Sequence, residues 1–152
     1  MSGIYTVVYP ATAVSTAISI IQIKAGAAGP LELLRCHVSQ GLSETSTQEQ
    51  INIVRKSGAA TVTSFTPLKY NPNDPTALAV GGTSATGTQA TAEGTDTDIL
   101  VSEGFNILNG WTWLPTPEER IFVPGGGIIA LKFPVAPASF TVRAYIVFRE
   151  IG

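Results

Sequence analysis

The chain has 152 residues and a net charge of −2, with only 13% charged side chains against 44% hydrophobic ones. Its nine bases are scattered and the first charge is Lys24, which excludes the clustered basic footprint of a nucleic-acid binder. A length of this order forms one domain that buries about two thirds of its unfolded surface, so the expectation is a single β-sandwich domain over residues 1–152.

The first segment, "GIYTVVY" (3–9), is β-branched and aromatic and predicts a strand. Thr6, Pro10, Thr12, Ser15, Thr16 and Ser19 interrupt this uncharged start and no basic run precedes it, so neither a membrane span nor a secretion signal is expected. "TAISIIQIK" (16–24) is the next strand. Its consecutive Ile20 and Ile21 break the alternation, which requires a bulge or a strand covered on both faces.

In "LLRCHVSQ" (33–40), Leu34, Cys36 and Val38 fall on one face and Arg35, His37 and Ser39 on the other. Cys36 is the only cysteine, so no intrachain disulfide is possible. His37 is the only histidine. Neighbouring strand residues point to opposite faces, so Cys36 and His37 cannot form a nucleophile and base pair, and one of each is too few for a structural zinc site.

"EQINIVRK" (49–56) and "ATVTSF" (60–65) continue the strand series. "TPLKYNPNDPTALA" (66–79) holds three prolines and reads as a rigid surface crossing, with Asn-Pro and Asp-Pro favouring turns. Asn71, Asn73 and Asp74, or Asp96 and Asp98, could offer oxygens to calcium, but their spacing fits no EF-hand loop, and no metal or cofactor is expected. In "GGTSATGTQATAEGTDT" (81–97) nothing is more apolar than alanine. The expectation there is a flexible exposed loop, or an arm ordered against a neighbouring subunit, and not a core strand.

"DILVSEGFNIL" (98–108) and "ERIFV" (119–123) are further strands. Between them lies "GWTWLPTPEER", in which Trp111 and Trp113 share a face of extended chain. That face is either a core or interface wall or a sugar-stacking platform. Glu118 and Glu119 are adjacent, whereas glycosidic hydrolysis needs two carboxylates facing each other across a substrate, so pairing with Arg120 or a neighbouring subunit is the expected role. Gly125, Gly126 and Gly127 lack a following helix, which removes a phosphate-loop reading. They predict a hairpin turn between "RIFVP" and "IIALKF".

The last two strands alternate most cleanly. Ile129, Leu131 and Phe133 face inward against Ala130 and Lys132, and Phe140, Val142, Ala144, Ile146 and Phe148 oppose Thr141, Arg143, Tyr145, Val147 and Arg149. About eight short strands with Gly and Pro punctuation predict an all-β, antiparallel jelly-roll sandwich.

Taken together, "TPLKYNPNDPTALA", the Gly/Thr-rich stretch, "FNILNGWTWLPTPEERIFVPGGGIIALKFPVAP" and the closing "YIVFREIG" resemble a recurring type of small virion protein of tailed bacteriophages. The resemblance runs from about residue 31 to the C-terminus and implies a jelly-roll module that decorates a capsid, often as a trimer. On that footing the protein is expected to be no enzyme. It would be made in the bacterial cytoplasm and sit on the virion surface, where it would bind itself and the major capsid protein or another virion protein, but neither nucleic acid nor membrane. Tyr5, Val7, Tyr9, Trp111, Trp113, Arg120, Tyr145 and Val147 are the expected oligomer or partner contacts. The rival expectations are a tail or fibre module that stacks carbohydrate on Trp111 and Trp113, and a glycosidase using Glu118 or Glu119.

Overall fold

The structure, a computed structural model, describes residues 3–42, 45–83 and 89–152. Twelve strands lie among these residues: β1 (Ile4–Val14), β2 (Ser19–Lys24), β3 (Leu31–Gln40), β4 (Gln48–Gly58), β5 (Ser64–Phe65), β6 (Leu68–Lys69), β7 (Val80–Gly82), β8 (Thr95–Asn106), β9 (Trp111–Trp113), β10 (Phe122–Val123), β11 (Ile128–Lys132) and β12 (Phe140–Glu150). The expected count of about eight is too low. Short strands in the crossing between β4 and β8 were not separable by composition, and the Trp-rich run contributes β9 on its own.

Two antiparallel sheets face each other. The first has the order β10-β3-β12-β1-β6 with β9 also on β3, and the second β5-β7-β2-β11-β4-β8. With β5, β6 and β7 set aside, the chain winds between sheets so that β1-β12-β3-β9/β10 covers β2-β11-β4-β8, which is jelly-roll winding. The run 124–127 is therefore a corner between sheets, not the hairpin expected, because β10 pairs with β3 while β11 pairs with β2 and β4. Gly126 supplies its positive φ of 76° and the amide of Gly127 donates to the Pro124 carbonyl at 2.8 Å.

Alternation fixes what each sheet buries. Phe140, Val142, Ala144, Ile146 and Phe148 of β12 are at most 2% exposed, as are Ile129, Leu131 and Phe133. Burial of each large apolar side chain among them contributes about 1.5–3 kcal/mol. Tyr5, Val7 and Tyr9 are fully buried in this same core, so they face the inside of their own subunit and are not available as the outward contacts expected. Burial pushes the Tyr9 phenol up to about 12.

Two bulges set the faces. Lys132 pairs with Ser19 and Leu131 with Ile21, leaving Ile20 as the extra residue; Ile20 and Ile21 are both fully buried, on a strand covered from both sides. In β3, Arg35 pairs with Val147 and Leu33 with Phe148, which makes Leu34 the extra residue. Leu31 and Leu33 then take the core side with Cys36 and Val38, and Leu34 lines the outer surface, contrary to the unbroken alternation expected.

Candidate functional site

The outer faces of the two sheets differ. On the second sheet, the run 59–63 and the run 89–94 lie across the strands, tied to each other by the Thr61 and Ala92 bridge. Gln22 of β2, almost buried, accepts a hydrogen bond from the Ala60 amide at 2.8 Å. Gly82 leaves room for the Val62 side chain, which an added Cβ would strike, and Gly81 does the same for Phe65. The two glycines are thus buried in strand β7, at the start of the run 81–97 in which no core strand was expected; lack of a side chain is what lets the crossing pack on the sheet.

A cluster of charges closes this cover. The Lys56 side chain has no exposure, and its ammonium donates to Asp96 at 2.6 Å and to the Glu93 carbonyl at 2.6 Å. Lys132 reaches Asp96 at 2.8 Å and Glu93 at 3.3 Å, and the Ser19 hydroxyl donates to Glu93 at 2.9 Å. Two lysines against two carboxylates leave no net charge, and nearly every lone pair is used, which is the condition for burying ions without a large penalty. Burial alone would raise both carboxyls, but the Ser19 hydrogen bonds on Glu93 and the lysines on Asp96 outweigh it and hold both below their ordinary values. Residues 89–97 are therefore seated on the sheet, not the free loop expected; residues 84–88 of that loop lie outside the described residues.

The outer face of the first sheet carries no such cover among the described residues. Its register places Thr6, Val147 and Arg35 in one row across β1, β12 and β3, and Val8, Tyr145 and His37 in the next. A groove of about 460 Å³ lies over the first row, lined by Ile4, Leu34, Arg35, Tyr70, Leu114, Arg120 and Val147. Tyr70 is 54% and Leu114 70% exposed. Val147 is buried at the bottom of this groove, on the opposite side of the strand from the core.

Arginines rim the groove. Glu32 receives Arg149 at 3.0 Å and Arg120 at 3.2 Å, and the hydrogen bond from Arg149 does most to hold its carboxyl low, with burial opposing and Arg120 helping. Arg120 thus pairs with Glu32, not with its neighbours Glu118 and Glu119, which stand exposed on a 3-10 turn at Pro117–Glu119. Arg35 has no carboxylate partner among the described residues; its guanidinium sits 5.3 Å from the centre of the Tyr145 ring, a cation–π arrangement. The Nε atoms of Arg35 and of Arg120 are both enclosed and without a hydrogen-bond partner. With three arginines against Glu32, these groups leave a surplus of two positive charges on a chain of net charge −2.

In the next row, His37 stacks on Tyr145 with ring centres 5.3 Å apart, and its Nδ1 is 2.7 Å from the Thr112 hydroxyl. Burial first and Arg35 second lower the His37 pKa. Cys36 points the other way, into the core, and burial pushes its thiol far up, so the two residues are on opposite faces as their spacing requires.

The tryptophans also belong to the interior. Trp111 pairs with Val38 and Trp113 with Cys36, on the inward side of the sheet. Trp111 is 6% exposed, with its indole N–H donated to Glu103, and Trp113 is half-buried against the core. Their shared face is a wall of the sandwich, which removes them as a sugar platform.

Asn71, Asn73 and Asp74 are occupied in a turn, where the Asp74 amide donates to the Asn71 carbonyl at 3.0 Å and the Asn73 amide to the Asn71 side chain at 3.1 Å. Asp96 is held by its two lysines. Of the expected contacts, Arg120, Tyr145 and Val147 meet on one surface, while Tyr5, Val7, Tyr9, Trp111 and Trp113 do not. Ile4, Leu34, Tyr70 and Leu114 were missed. They come from four separate segments, and only the strand register joins them.

No family model, no curated protein and no solved structure matches the chain.

Proposed function

We propose that the protein is a non-enzymatic structural component of a phage virion, a decoration or cementing protein that seats on the major capsid shell as a homo-oligomer, with a trimer as the expected form. The supporting observation is the bare outer face of the first sheet, where an apolar groove, stacked aromatic groups and surplus arginine charge adjoin while the opposite sheet is covered by its own chain. Apolar patches rimmed by polar groups are characteristic of association surfaces, and aromatic and arginine side chains are the residue types that dominate binding energy there.

The mechanism is adhesion. A protein that binds the assembled shell and not its dissociated form stabilises the shell by mass action. No covalent step is needed. Electron cryomicroscopy of particles produced by cells carrying this gene tests the reading: many copies spread over the head are expected, and a few copies confined to the tail tip would overturn it.

A further inference from the structure

The covered face shows what satisfies a cationic sheet face in this molecule. There the non-helical run 89–94 crosses the strands, buries Ala90 and brings the Glu93 carboxylate to Lys56 and Lys132. The bare face has the same two needs, apolar cover and an anion, and nothing meets them among the described residues. From Tyr70, just after β6, to Leu114, just after β9, its groove crosses five neighbouring strands. That is about 19 Å at ordinary strand spacing, the reach of about six extended residues.

Arg35 lies along this path. It is in register with Val147, and Leu114 stands beside it, one residue beyond the Trp113 that pairs with Cys36. Arg120 and Arg149 are both held by Glu32, whereas the Arg35 guanidinium donates to no acceptor among the described residues and is placed by the Tyr145 ring. One unpaired planar guanidinium between apolar contacts suits one carboxylate, bound through two parallel N–H donors.

We propose that the groove receives an extended segment of a partner protein, laid across the strands, with a Glu or Asp carboxylate on Arg35 and an apolar side chain two positions away on each side. One of these side chains rests on Ile4 and Val147, the other on Leu34 and Leu114. A spacing of two is required because neighbours in an extended chain point to opposite faces. On the decoration reading above, on which this rests, the segment belongs to the shell protein. A nucleic-acid backbone is disfavoured as occupant, because it calls for a row of unpaired cations and Glu32 already holds two of the three arginines.

The test is a nuclear magnetic resonance titration of the full chain with a peptide of sequence Leu-Thr-Glu-Thr-Leu-Thr, capped at both ends so that the glutamate is its one charge. Binding at about millimolar or tighter is expected, with amide shifts centred on residues 34–35, 114 and 147. Glutamine in place of the glutamate should weaken it by about tenfold or more, as should Arg35→Ala in the protein. The reordered peptide Thr-Leu-Glu-Leu-Thr-Thr, which puts its leucines on the face opposite the acid, should bind more weakly than the first. Leu114→Ser should cost about threefold or more in affinity. The folding of both protein variants is checked by their unfolding curves.

No shift at about 10 mM peptide, equal binding of the glutamine or reordered peptide, or shifts centred on the covered face would each overturn the proposal. Sedimentation velocity adds one more outcome against it: self-association of the free chain that Arg35→Ala abolishes would assign the groove to a second copy. Imaging of the particles separates this inference from the reading it rests on. Heads coated by a protein that binds no peptide would remove the groove's occupant alone, and peptide binding with both contrasts by a protein absent from heads would remove the decoration reading alone.

Discussion

The two outer faces of the sandwich solve one problem in opposite ways. The second sheet is finished within the chain: a crossing segment lies over it, glycines make room, and a neutral cluster of two lysines and two carboxylates fastens it. The first sheet leaves Ile4, Tyr70 and Leu114 in the open and, among the described residues, gives Arg35 no acid to hold. Charge placed on the covered face is spent on the fold of the chain itself, and charge on the bare face is not.

The sharpest way to break that division is Lys56→Ala. Removing a fully buried cation leaves Glu93 and Asp96 sharing Lys132, and the cost should be about 3 kcal/mol, at the low end for buried pairs because both carboxylates keep some exposure and their second lysine. Arg35→Ala, on the bare face, should change stability by no more than about 0.5 kcal/mol. Urea unfolding of both variants decides it, and equal losses would erase the distinction.

Next in size is Gly82→Val. Its new side chain meets Val62 beneath the crossing, so a loss of about 2 kcal/mol is expected in the same unfolding assay.

Acid should undo the covered face too. Glu93 and Asp96 have folded-state pKa values lowered from 4.5 and 3.8, so the stability they add is complete above those ordinary values and is lost as pH falls through the lowered ones. The thermal midpoint should therefore hold at neutral and mildly acidic pH and fall steeply below about 4. Glu32 contributes with the same sign from the bare face. If a variant carrying both Glu93→Gln and Asp96→Asn keeps the wild-type acid limb, the sensitivity lies outside the covered face, with Glu32 as its source, and the comparison must be redrawn.

The smallest expected effect is Leu114→Ser. At 70% exposure the side chain contributes little to folding, so calorimetry should register a change within about 0.5 kcal/mol. A larger loss would mean that the groove is a structural part of the subunit.

Period-two patterning made β11 and β12 legible, including which side chains enter the core. It did not say which side of β1 turns inward, because Ile4, Thr6 and Val8 alternate with Tyr5, Val7 and Tyr9, and both sets are plausible core or contact faces. The larger aromatic set went inside. At Leu34 the pattern failed for a local reason: one extra residue in β3 exchanges the faces on either side of it.

Arg120 was legible as an ion-pairing residue but not its partner, since Glu32 lies 88 residues away and only the neighbouring β3 and β10 bring them together. Polar composition in 89–97 was read as freedom, when Lys56 and Lys132 waited on the adjacent strands for its two acids. A surface assembled from several distant segments leaves no local signature, and the groove is such a surface.

The strand order also governs when the molecule can fold. In the first sheet β12 lies between β3 and β1, and in the second β11 lies between β2 and β4, so in both sheets a middle strand is among the last to leave the ribosome. Until residues 128–150 emerge, β1 has no β12 to bind and β2 no β11, and their apolar faces stay open. Pairings such as Thr6 with Val147 span nearly the whole chain, which places the protein among slow folders, in the range of milliseconds to seconds. Folding therefore awaits the synthesis of β11 and β12, and a ribosome stalled before β11 would hold a chain whose two sheets are both still split.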